Sequence, residues 1–118
     1  MSETTTAPPS TLDYLLIETQ SPWGGPMSGR FLLDAATLAR HGHRVWVFLV
    51  QDAVAAALPD AAAGLRELAG LGVKIWADDF SLGQRALPPD RLDPVVTVVD
   101  MATVTHRLLA TATRVVWH

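Results

Sequence analysis

Five short runs dominate the chain: YLLIE (14–18), RVWVFLVQD (44–52), VKIWADD (73–79), PVVTVVD (94–100) and RVVWH (114–118). Most are dense in Val, Ile, Leu and Trp instead of alternating with polar residues. That is how strands covered on both faces read, and it implies a parallel sheet. The segments between them suit helices. SGRFLLDAATLARHG places Leu32, Ala35, Ala36 and Ala39 on one face and stops at Gly42, which is positioned as a C′ glycine. AAAGLRELAGLG follows the same logic and ends at Gly70 or Gly72. SLGQRAL gives a helix of about two turns before Pro88-Pro89 breaks it. ATVTHRLLATA carries Val104, Leu108 and Ala112 at helical spacing. Strand alternating with helix predicts an α/β fold, three layers α/β/α around a five-stranded parallel sheet.

The bulk numbers narrow the function. A chain of 118 residues fits one domain, expected over 12–118 after a polar, Thr- and Pro-bearing lead over 1–11 that reads as disordered. The net charge of −3 and the scattering of nine Lys and Arg argue against a nucleic-acid partner. With no cysteine there is no disulfide framework, no thiolate metal site and no thiol nucleophile. The apolar runs are strand-sized, so a membrane partner is not expected. MSETTTAPPST lacks the basic start and apolar core of a signal peptide, which makes the cytoplasm the expected location.

Parallel strands bring their C-terminal ends to one edge, where open α/β sheets bind ligands. The runs end at Glu18, Asp52, Asp78-Asp79, Asp100 and His118, and three of them begin at Arg44, Lys74 and Arg114. One rim is therefore expected to be acidic and the other partly basic.

The order of parts is also informative. The first run leads into SPWGGPMSGR, the first helix into GHRVWVFLVQDAV, the third run into SLGQRAL, and the chain closes with MATVTHRLLATATRVVWH. This resembles the DsrE/DsrF-like family of sulfur-relay subunits over about residues 12–118. The resemblance implies a five-stranded parallel sheet and a homo-oligomer, trimer or hexamer. It also implies a persulfide-bearing cysteine just after the third strand. Asp78 occupies that position here, and Ser81 stands where some relatives keep a second cysteine. A carboxylate cannot carry a persulfide, so sulfur transfer by this chain's own side chains is not expected.

Candidate site residues follow from the rim and the loops. Asp78 and Asp79 are strand neighbours on opposite faces and cannot form a close dyad while extended. Asp79 and Ser81 suit helix capping, which leaves Asp78 as the acid–base candidate, with Arg85 nearby. His106, in the last helix, is its candidate partner. Trp23 and Arg30 flank a Gly- and Pro-rich loop that matches neither a Walker A loop nor GxGxxG. Trp23, Arg30, Glu18, Asp52, Ser81 and Arg85 are the expected ligand-binding set. His41 and His43 read as turn residues on the far edge. His118 ends the last strand at the rim, and no ligand spacing there calls for a metal or other cofactor. Trp46, Trp76 and Trp117 suit core and subunit packing. Two functions fit: a subunit binding a small ligand or a protein partner, or a cofactor-independent acid–base enzyme (isomerase, cyclase, dehydratase or hydrolase) with Asp78 as catalyst.

Overall fold

The five runs form strands β1 (Asp13–Glu18), β2 (Arg44–Leu49), β3 (Lys74–Asp78), β4 (Val96–Val99) and β5 (Arg114–Trp117). The structure is a computed structural model that describes residues 11–23, 29–110 and 112–118. Apart from Thr11, the expected disordered lead lies outside the described residues, as do 24–28 of the Gly- and Pro-rich loop. All strand pairs are parallel, in the order β4-β3-β2-β1-β5. The helices are α1 (Arg30–Arg40), α2 (Ala63–Gly70), α3 (Asp79–Gln84) and α4 (Met101–Ala110).

This order explains the layers. From β1 to β4 each crossover steps the same way across the sheet, whereas the return from β4 to β5 steps backward past β1. Right-handed crossovers that step in opposite directions must lie on opposite faces. Leu16, Val47 and Ile75 accordingly pack with Phe31, Ala35 and Ala36 of α1, Leu65 and Leu68 of α2, and Leu82 of α3. On the other face Leu15, Ile17, Trp46 and Phe48 pack with Val99 and with Val104 of α4. In β1 the even positions thus face α1 and the odd ones α4. Glu18 is even.

Two helix ends form as their glycines predict. Gly42 (φ +86°) and Gly72 (φ +92°) take the left-handed conformation that other residues resist. After α1, Gly42 N donates to Ala39 O and His43 N to Leu38 O; after α2, Gly72 N donates to Ala69 O and Val73 N to Leu68 O. Both are Schellman closures that satisfy the last helical carbonyls and aim the chain into the next strand.

Strand ends differ from expectation. β2 stops at Leu49, and Gln51–Ala57 form a 3-10 helix that carries Asp52. Gln51 has φ +56°, outside the extended region, and so ends the strand. Asp79 opens α3, and Asp100 lies between β4 and α4.

Candidate functional site

The parallel sheet gathers the residues at its strand exits along one edge, but their side chains fall into separate groups. In the centre, Asp78 is 3 % exposed and Ser81 2 %. Ser81 N donates to Asp78 Oδ2 at 3.0 Å and Ser81 Oγ lies 2.6 Å from the same oxygen, while Gln51 N donates to Ser81 Oγ at 2.8 Å. A hydroxyl has one proton, and since its oxygen accepts from Gln51 that proton goes to Asp78. Asp78 is thus the N-cap of α3. This corrects the expected division of labour: Asp79 is the exposed first residue of the helix, and Ser81 links Asp78 to Gln51 instead of capping. Asp78 Oδ1 is buried with no hydrogen-bond partner among the described residues. Arg85 turns away from Asp78. It donates to Asp52 Oδ1 at 2.8 and 3.2 Å and to Ser81 O at 3.2 Å.

At the β4 exit Asp100 caps α4, accepting from Thr103 N at 2.8 Å and Thr103 Oγ1 at 2.9 Å. The Thr103 N–H, followed by the Thr103 hydroxyl, holds the Asp100 carboxyl below its ordinary pKa. His106 lies midway along α4 with its side chain exposed, and no hydrogen bond or ion pair joins it to Asp78. The expected Asp78–His106 pairing is not formed.

The third group lies at the neighbouring exits of β1 and β5. Glu18, Gln20, Arg30, Asp34 and His118 line a concavity of about 440 Å³ there. Glu18 is 3 % exposed and accepts from Gln20 N at Oε2, 2.9 Å. His118 continues the β5 ladder: its N–H donates to Ile17 O, and its carbonyl accepts from Thr19 N and Thr19 Oγ1. Its side chain reaches α1, with Nε2 buried 3.3 Å from Asp34 Oδ2 but off the hydrogen-bond line, and its ring tilted against Phe31. Arg30 Nε stands 3.8 Å from Asp34 Oδ1. The sequence pointed to Glu18, Arg30 and His118 but not to Asp34 or Gln20. Among the described residues no three His, Asp or Glu are placed to hold a metal ion.

The remaining candidates are dispersed. Trp23 is 71 % exposed. Trp46 is buried, with the Arg107 guanidinium 4.3 Å from its ring centroid and Trp76 tilted beside it. Trp117 is exposed on the edge strand. His43 serves the far edge, where Nδ1 accepts from Leu12 N and the ring meets Tyr14 edge-on. Arg44, expected to make that rim basic, is paired with the buried Asp13 at 2.7 Å. A larger groove of about 520 Å³ runs between α1 and α2, but it is lined mainly by leucines and small residues. It offers little chemistry.

No helix among the described residues is long and apolar enough to cross a membrane. No family model matches the sequence, and no curated protein matches it. Solved structures do match in three dimensions. The ychN protein from E. coli superposes with a TM-score of 0.82 at 17 % identity, over 92 % of this chain and all of that one. The protein of unknown function MTH1491 from Methanobacterium thermoautotrophicum gives 0.71 at 18 % identity, covering 92 % of this chain and 100 % of its own. BT1422 from Bacteroides thetaiotaomicron, also of unknown function, gives 0.71 at 14 % identity over 90 % and 95 % of the two chains. The chain therefore shares its whole architecture, a five-stranded parallel sheet flanked by helices, with these proteins.

Proposed function

We propose that the protein is a DsrE-like homo-oligomeric subunit that binds a small polar ligand at the β1/β5 exit and does not transfer sulfur. The observation that carries this reading is a buried carboxylate, Glu18, opening onto a concavity between the exits of β1 and β5. Its volume of about 440 Å³ falls within the range of roughly 300–1,000 Å³ usual for ligand sites. Glu18 Oε2 already accepts from Gln20 N, and its second oxygen is left to accept from a donor on a bound ligand. The chain has no cysteine to hold a persulfide. Exposed Trp23, Phe80, Leu109 and Trp117 support assembly into a trimer or hexamer, which light scattering in solution checks.

Acid–base catalysis by Asp78 draws no support from its surroundings, since one oxygen is committed to Ser81 and His106 is not joined to it. The test is a thermal-shift screen of small hydroxylated, amine and carboxylate compounds, followed by calorimetry. At least one compound is expected to raise Tm, and Glu18→Gln to weaken its binding about tenfold or more while Asp78→Asn leaves it intact. Binding that is lost in Asp78→Asn and kept in Glu18→Gln would place the ligand elsewhere.

A further inference from the structure

Resting on the ligand-binding reading above, we propose that the β1/β5 concavity is also a proton-transfer site for a small α-hydroxycarbonyl compound. The His118 imidazole is the base and Asp34 its positioning carboxylate. Backbone bonds on both sides fix His118: N to Ile17 O at 2.8 Å, and O from Thr19 N at 3.1 Å and Thr19 Oγ1 at 3.0 Å. Its Nε2 is buried 3.3 Å from Asp34 Oδ2, and its other ring nitrogen makes no hydrogen bond among the described residues. A carboxylate on one imidazole nitrogen orients the ring and stabilises its protonated form, which frees the other nitrogen to act as base. Such contacts are often misaligned without substrate and tighten when it binds.

The rest of the wall suits a hydroxycarbonyl. Buried Glu18 accepts from a hydroxyl, and Arg30, with its side chain 60 % exposed, is a donor for an oxyanion. None of the described lining residues carries a nucleophilic hydroxyl or thiol, which favours proton transfer over a covalent route. In the step, imidazole takes a proton from the carbon beside the carbonyl. The C–H electron pair forms the enolate C=C while the carbonyl π pair moves onto oxygen. The imidazolium then returns a proton to carbon and the carbonyl re-forms, so no oxidant or reductant is consumed.

The experiment incubates the protein with hydroxyacetone in D₂O and follows loss of the CH₂ signal by proton NMR. Saturation-transfer spectra report binding of the same compound. Exchange is expected above buffer, falling roughly 100-fold or more in His118→Gln. Asp34→Asn is expected to lower kcat about tenfold with KM nearly unchanged, Asp34→Glu to recover part of the loss, and the turn variant His41→Gln to match wild type. Circular dichroism checks that each variant folds, and exposed Asp34 serves if His118→Gln does not. Binding without enhanced exchange, or exchange that is equal in wild type and the folded variants, overturns the proton-transfer role and leaves a binding site. Neither binding nor exchange overturns both.

Discussion

The oxygens of Asp78 are used unequally: Oδ2 takes both Ser81 donors, while Oδ1 is buried without a partner. This bond set holds the exits of β2 and β3 together, because Ser81 Oγ also receives the N–H of Gln51 in its left-handed conformation. Asp78→Ala should therefore cost about 1–3 kcal/mol in urea unfolding, and Asp78→Asn, which keeps a capping oxygen, less. An unchanged midpoint in Asp78→Ala would show that the cap is dispensable. The sequence marked Asp78 and Asp79 as a strand exit but could not say which of them caps. A one-residue shift in where the strand ends decides that, and strand ends are set by tertiary contacts. Asp34 carried no signal at all. It is an ordinary acid on a helix until β5 docks beside β1 and sets His118 against it.

At the scale of elements, hydrophobic pattern and glycine placement were enough to find the five strands and the ends of α1 and α2, because burial on both faces and left-handed closure each restrict residue type. The 3-10 segment Gln51–Ala57 was missed. Its alanines and valine are as apolar as a strand and leave no period to read. The closures are testable. Gly42→Ala forces a Cβ into φ +86°, at a cost of roughly 1–2 kcal/mol, and so should lower Tm even though the space around Gly42 is open. A neutral result would mean that the turn re-forms without the left-handed residue.

For the whole molecule, charge ties separate parts together and sets the pH response. Asp93 accepts from Val95 N at 3.1 Å and from Arg66 at 2.6 Å, which pins α2 to the loop before β4. The Val95 N–H, then Arg66, hold the Asp93 carboxyl below its ordinary value, as the Thr103 donors do for Asp100. Folded pKa values below the unfolded ones mean that these groups add stability above the ordinary Asp value of about 3.9. That stability is lost as pH falls through the lowered native values. Melting temperature should therefore decline with acid below about pH 4, and the decline should be shallower in Asp93→Asn.

The bond from Thr19 Oγ1 to the His118 carbonyl joins positions 99 residues apart in sequence. During synthesis, then, the α1 acid and the imbedded Glu18 emerge from the ribosome long before the imidazole that completes their pocket. If the β1/β5 concavity is the ligand site proposed above, a chain whose central strands have formed still lacks it until β5 zips onto β1. An agent that frays that edge then removes binding without unfolding the rest.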